Sequence, residues 1–356
     1  MKSQLSDKDK SGSTQVQRKI LEVKDLRTYF FLDQGVLKAV DGVTLYLNQG
    51  EAVGIIGESG CGKSVTGLSL LGLVQPPGLV VAGEIKLERK DGEIVSLLGG
   101  SDAKKAMLNI RGSDIGFIFQ EPMTSFSPVH TVGSQIAEML MLHTEKTRQE
   151  AQERVIDLLD QVGIANPAQR YKEYPHQLSG GMRQRAMIAM AISCEPKIVI
   201  ADEPTTALDV TLQAQILELL KRLQEEKGIA TIHITHNMAV ISESVERVYV
   251  MYLGRIVETT TTDKLFAKPL HPYTEGLLKS IPQLGRNIRR LESIKGSVPT
   301  ALNMPIQCGF YPRCTKRIEG VCNRSIPALV ETEQGHSVRC FLHSSEEEPM
   351  NEFSDL

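Results

Sequence analysis

The stretch Gly57-Glu58-Ser59-Gly60-Cys61-Gly62-Lys63-Ser64 constrains this chain more than any other. It matches G-x-x-x-x-G-K-[ST], a glycine-rich loop whose backbone amides curl round a phosphate. Such a loop works between a strand and a helix. The apolar run Ala52-Val53-Gly54-Ile55-Ile56 precedes it and reads as a buried parallel strand. Ser64 to Leu73 follows, with apolar residues at helical spacing, so a helix N-terminus adds its dipole to the cradle. Lys63 is placed to reach β- and γ-phosphates and the Ser64 hydroxyl to bind Mg²⁺. Gly57 through Val65 form the candidate nucleotide-binding set.

At 356 residues the chain suits about two domains. A net charge of −3 gives no electrostatic reason to expect a nucleic-acid partner. No apolar run approaches the roughly 18 residues of a membrane-spanning helix. Met1 to Lys19 is polar, lacks the apolar core of a signal peptide, and is expected to be a disordered leader. A cytoplasmic protein keeps its cysteines reduced or metal-bound.

Along the chain, Ile20-Leu21-Glu22-Val23 and Val36 to Leu47 alternate as half-buried antiparallel strands do. Tyr29 and Phe30 lie between them, and either aromatic could stack on a nucleotide base or fill the core. Pro76-Pro77-Gly78 marks a turn before the strand Gly83 to Leu87, and Ile115 to Phe119 is a buried strand ending at Gln120. Helical patterning then runs to Gln177, most strongly over Glu150 to Val162. Leu178-Ser179-Gly180-Gly181-Met182-Arg183-Gln184-Arg185 opens a helix to about Cys194, a second end suited to an anion. The apolar strand Ile198 to Ala201 ends in Asp202-Glu203-Pro204. Asp202 fits an acid near Mg²⁺, and Glu203 stands where a water-activating base would. Ala207-Leu208-Asp209 leads into a helix from Val210 to about Glu226. His236 closes the strand Ala230 to Thr235.

Taken together, these residues resemble the ATP-binding subunits of ABC transporters. The phosphate loop, Gln120, the Leu-Ser-Gly-Gly signature, the Asp202-Glu203 strand, the Ala-Leu-Asp turn and His236 occur in that family's order, over Ile20 to about Glu258. Glu121-Pro122-Met123-Thr124-Ser125, Gly181 to Arg185 and His271-Pro272-Tyr273-Thr274 resemble the oligopeptide/dipeptide importer subgroup, whose features nickel importers share. Phe126-Ser127-Pro128 replaces a usual Leu-Asn-Pro and Asn237 a usual Asp. Neither handles phosphate. The resemblance implies an α/β P-loop (RecA-like) ABC ATPase core at 20–265, with an antiparallel β subdomain and a helical subdomain at about 121–179. It also implies that two such domains close head-to-tail on two ATP molecules, with Ser179, Gly180, Gly181 and Gln184 on the partner's ATP. Ser64, Gln120 and Asp202 would hold Mg²⁺, Glu203 would polarise water, and His236 would hold the γ-phosphate. The implied partners are a second related ATPase, two permeases that dock in the helical region, and indirectly an extracytoplasmic peptide-binding protein. The implied place is the cytoplasmic face of the cell membrane.

Beyond about Phe266 a proline-rich extension, 266–345, follows, and then an acidic tail from Glu346. Cys308, Cys314, Cys322 and Cys340 are spaced C-x5-C-x7-C-x17-C. Clustered thiolates suit zinc or an iron–sulfur cluster, and the spacing is wider than usual zinc pairs. Resemblance to the dipeptide-importer subgroup implies a [4Fe–4S] cluster; Zn²⁺ and unligated thiols stay open. Cys61 and Cys194 are expected to be bystanders. A DNA-repair or chromosome ATPase would share the phosphate motifs but insert a long coiled coil or zinc modules, and Gln120 to Ser179 is too compact. An ABC-type translation factor would need two phosphate loops.

Overall fold

The computed structural model describes residues 18–121, 125–205, 209–281, 294–349 and 353. Most of the expected leader, Pro122-Met123-Thr124, Ala207-Leu208, Pro282 and most of the acidic tail lie outside the described residues.

Two long strands, β1 (Lys19–Leu32) and β2 (Gly35–Asn48), form an antiparallel hairpin. With β4 (Gly78–Glu88) and β5 (Ile94–Ser96) they make a four-stranded sheet in the order β2-β1-β4-β5. Tyr29 and Phe30, expected between strands, lie inside β1. Between β2 and β4 the chain crosses into a second sheet through β3 (Ala52–Ile56) and helix α1 (Lys63–Leu70). Helix α2 (Gly100–Ile110) then leads to β6 (Ile115–Ile118).

The helical region follows as α3 (Val132–His143), α4 (Arg148–Gln161) and the short α5 (Pro167–Arg170). Each long helix starts where a side chain caps it. Thr131 accepts from the Ser134 amide, and Thr147 with Glu150 forms a reciprocal capping box. Ala151, Val155, Leu158 and Leu159 form the buried stripe of α4, the face expected from periodicity. They pack with α3, with α6 (Gly180–Ile192) and with α7 (Val210–Lys227) in one apolar cluster.

The second sheet has eight strands in the order β11-β12-β10-β9-β3-β8-β7-β6. Here β7 is Ile198–Asp202, β8 Ala230–Thr235, β9 Arg247–Tyr252, β10 Arg255–Thr261, β11 Val330–Glu333 and β12 His336–Val338. From β9 to β6 all neighbours run parallel. Every residue of β3, β7, β8 and β9 is buried, as parallel strands covered on both faces require. Helix α8 (Met238–Ser244) covers β3 and β8.

The extension departs from expectation. Its prolines and its place after the core motifs suggest a separate appendage beyond Phe266, but its hairpin β11–β12 adds two antiparallel strands to the core sheet through β10, pairing Val338 with Glu258 and Ser337 with Thr259. After α9 (Thr262–Ala267), helix α10 (Pro272–Lys279) sends Tyr273 and Leu277 into an apolar cluster with Ile56, Val248 and Val250 of the core. The acidic tail is also tied in. Glu346 and Glu347 are exposed, but Glu348 pairs with Arg255 and with Arg339 (2.5 Å). The backbone around it bonds back to Ile326 and Ala328. Three buried or half-buried arginines, including Arg27 at 3.8 Å, give one glutamate a reason to fold inward.

Candidate functional site

The loop between β3 and α1 has the shape its glycines allow. Gly62, at the cap of α1, has φ 101°, and a Cβ there would stand 2.1 Å from the Ala39 carbonyl oxygen. Only glycine fits both constraints. Ser59 and Gly60 are exposed at the mouth of the loop, and Cys61 is buried behind it. Val65 is half-buried against the core cluster. Lys63, 4% exposed, donates from Nζ to the carbonyls of Gly57 (2.9 Å) and Glu58 (3.1 Å). Its ammonium therefore closes the ring of the cradle.

The Ser64 hydroxyl donates to Asp202 Oδ1 at 2.9 Å, joining the start of α1 to the end of β7. Burial pushes the Asp202 carboxyl up to about 6, with neighbouring Glu203 adding to the rise and Ser64 and Lys63 opposing it. A hydroxyl and a buried carboxylate side by side are an oxygen donor pair of the kind Mg²⁺ takes. Glu203 follows with φ 45°, an uncommon backbone for a side chain. Its amide donates to the Ile234 carbonyl at 2.8 Å, which fixes the turn against β8. The carboxylate is thus aimed at two partners: Gln120 Nε2 donates to Oε2 at 3.3 Å, and His236 Nδ1 lies 2.9 Å from Oε1. Residues from the ends of three neighbouring parallel strands meet here, at the carboxyl edge where open α/β sheets bind ligands.

Ser179 caps α6, its hydroxyl accepting from the Met182 amide at 3.3 Å. Ser179 and Gly180 are exposed, so this helix end faces outward. Gln184 points the other way. It is 2% exposed, and its Nε2 is among the buried polar atoms with no partner, so its side chain does not share the outward face with Ser179. Of the two places open to Tyr29, the structure shows the core. It is fully buried, and its hydroxyl donates to Asp41 at 2.6 Å, which leaves no ring face for a base. Phe30 is half-exposed and keeps that possibility.

Two residues reach the phosphate loop that sequence reasoning did not place there. The Glu58 amide donates to the Tyr273 hydroxyl at 2.7 Å. The Glu58 carboxylate receives both Nη atoms of Arg313, at 2.6 and 3.0 Å. The available signals were His271-Pro272-Tyr273 and the Pro-Arg-Cys run at 312–314, and neither carries a phosphate-site pattern of its own.

Cys308, Cys314, Cys322 and Cys340 line one small pocket together with His271, Lys316 and Arg317. All four are free thiols. Burial pushes Cys308 up to about 11 and Cys340 up to about 12, and it raises Cys314 as well. Among the described residues no three His, Cys, Asp or Glu side chains converge on a point where one metal ion could sit. Cys61 and Cys194 are buried, away from this pocket.

Comparison with known proteins agrees with this arrangement. Residues 40–206 match the family described as ABC transporter, and residues 257–322 match the oligopeptide/dipeptide transporter, C-terminal region. An oligopeptide transport ATP-binding protein, AppD of Bacillus subtilis (strain 168), is 51% identical over 328 residues, 92% of this chain and 98% of that protein. A dipeptide transport ATP-binding protein, DppD of Escherichia coli (strain K12), is 44% identical over 321 residues, 90% of this chain and 96% of that protein. Among solved structures, the dimeric post-hydrolysis state of the ATP-binding cassette MJ0796 bound to ADP and Pi has TM-score 0.59 and 27% identity. It covers 68% of this chain and 99% of that one. With its phosphate loop, its Ser64–Asp202 pair and its extension all accounted for, the chain belongs to the ABC transporter ATP-binding family, in the group that carries the oligopeptide/dipeptide transporter C-terminal region.

Proposed function

We propose that this protein hydrolyses ATP to power peptide import, as one of two ATPase subunits bound to a pair of membrane permeases. The observation that carries the proposal is the meeting of Gln120, Glu203 and His236 beside the Ser64–Asp202 pair and the phosphate loop. The peptide class is supported by the matched C-terminal region and by relatives named for oligopeptide and dipeptide transport.

Phosphoryl transfer asks a protein mainly for position and charge compensation. The amides of the loop and Lys63 would hold the β- and γ-phosphates. Ser64, Asp202 and Gln120 would hold Mg²⁺, which neutralises phosphate charge when bound. Glu203, oriented by Gln120 and His236, would take a proton from the attacking water, and the far edge of the His236 ring would face the γ-phosphate. The outward-facing Ser179–Gly180 end would cover the ATP of a partner subunit, because the helix N-terminus suits a phosphate. Among the described residues no helix is long and apolar enough to cross a membrane; relatives named for peptide transport support attachment through permeases at the cytoplasmic face.

Glu203→Gln should lower turnover by about 10²–10⁴-fold with ATP still bound, as removal of a positioned base does. Steady-state hydrolysis near wild type in the assembled transporter would take Glu203 out of that role.

For the four-cysteine pocket, a [4Fe–4S] cluster is the reading the donor set supports. Four cysteines lining one pocket are a donor set of the kind such a cluster takes. Lys316 and Arg317 on its wall would offset thiolate charge. Such a cluster supplies a cross-link and redox activity when bound. Anaerobically purified protein should then contain about four irons per chain; stoichiometric zinc without iron would assign the pocket to Zn²⁺.

A further inference from the structure

Arg313 stands between the phosphate loop and the cysteine pocket: its side chain bonds to Glu58 of the loop, and its backbone amide donates to the carbonyl of Phe310 on the pocket wall (3.0 Å). All five of its side-chain N–H groups are used. Nη1 donates to Glu58 Oε2 (2.6 Å) and the Tyr252 hydroxyl (3.3 Å), and Nη2 donates to Glu58 Oε1 (3.0 Å) and the Gly296 carbonyl (3.0 Å). Nε donates to the Lys295 carbonyl (3.1 Å). A guanidinium satisfied in this way has one position. Its side chain is 5% exposed.

The backbone that carries Arg313 belongs to the pocket. It ends a 3₁₀ turn, Tyr311–Arg313, and Cys314 comes next. The Tyr311 amide donates to the Cys308 carbonyl (2.9 Å), and the Cys308 amide to the Cys322 carbonyl (2.9 Å). Three of the four pocket cysteines therefore set where the turn lies. At the other end, Glu58 is locked to the cradle, since its carbonyl accepts from Lys63 and its amide donates to Tyr273.

We propose that Arg313 is a positioning residue for the phosphate loop, and that through it the state of the cysteine pocket sets nucleotide affinity. The physical reason is the charge of Glu58. A carboxylate in the loop that receives a triphosphate repels it unless the carboxylate is neutralised and held aside. A bidentate arginine does both. A shift of the 308–314 turn withdraws the guanidinium and frees the carboxylate, so a change at the thiols becomes a weaker phosphate site. The inference rests on reading Gly57–Ser64 as the ATP site and requires no particular occupant of the thiols.

The test is equilibrium binding of a ribose-labelled fluorescent ATP, with Mg²⁺, to the full-length chain. Arg313→Met should raise Kd about tenfold, an electrostatic penalty of ordinary size for a lost bidentate pair. Arg313→Met/Glu58→Gln should return Kd to within about threefold of wild type, because a neutral amide no longer repels phosphate. Cys314→Ser should raise Kd several-fold alone, yet add nothing in the Arg313→Met/Glu58→Gln background. Hydrogen exchange of the 57–64 amides should rise in Arg313→Met, with the rest of the sheet still protected. An Arg313→Met Kd within about twofold of wild type overturns the proposal. So does a Glu58→Gln second change that restores nothing, which would make Arg313 a brace for the extension alone. A Cys314→Ser effect of equal size in both backgrounds would mean the pocket acts by another route. Absence of ATP binding in the wild-type chain would remove the ATP-site reading itself, and this proposal with it.

Discussion

His233 sits in the middle of β8, 4% exposed, between β3 and β7. Its Nε2 meets the Thr231 hydroxyl at 3.1 Å, while Nδ1 has no partner. Burial pushes its pKa from the usual 6.5 down to about 4, so the fold holds the ring neutral where an unfolded chain would protonate it. The unfolded state then binds the extra proton between pH 6.5 and 4. Stability from this residue is present in full above 6.5 and is lost as pH falls through that window, by about 3 kcal/mol in all. Urea midpoints should drop on acidification from pH 7 to 4.5 more steeply in wild type than in His233→Gln. Parallel curves would place the acid sensitivity elsewhere. Such residues are hidden in sequence. The motif histidine, His236, announces itself by its place after a strand, whereas His233 lies inside that strand, buried, with no motif around it.

Among the elements, the β11–β12 hairpin and the start of α10 depend on one carboxylate in β10. Glu258 is fully buried, accepts from the amides of Leu270 (2.8 Å) and His271 (2.9 Å), and meets His336 Nε2 at 2.8 Å. Glu258→Ala strands those amides without water, at about 1–3 kcal/mol each. Amide exchange should accelerate first over 270–279 and 330–338. Uniform acceleration over the whole chain would show that Glu258 is not a local latch. Strand and helix periodicity made the elements around the nucleotide legible: β3, β7, β8, α4 and α7 fall close to where their patterns put them. For Tyr29 the pattern left both a base-stacking and a core place open, because β1 is irregular. Its pairing with β2 shifts register between Thr28 and Tyr29, so Arg27, Thr28 and Tyr29 are buried in succession and alternation no longer tells which face each takes. Gln184 sits at the fifth position of a regular helix and turns inward.

For the whole molecule, the long-range pairs were beyond any local pattern. Arg313 and Glu58 are 255 residues apart, and nothing in either neighbourhood names the other. The inward turn of Glu348 is equally hidden, because its arginine partners come from three separate parts of the chain. At this scale the outward end of α6 also sets an expectation for assembly. One chain offers one phosphate loop and one Ser179 end, so two sites need two chains. The complex trapped by Glu203→Gln should show, by intact mass spectrometry, this chain beside a second related ATPase; two copies of this chain alone would make the working unit a homodimer. The hairpin on β10 has one more consequence, which concerns synthesis. The strand it covers ends at Thr261, and its cover begins to arrive only at His336, some 75 residues later. At about 5–20 residues per second the ribosome leaves that edge open for roughly 4–15 s. During that interval a nearly complete nucleotide domain carries a bare row of backbone donors and acceptors, the surface on which nascent chains pair with the wrong neighbour. The extension is therefore the part of this chain whose arrival ends the exposure of that edge to misassembly.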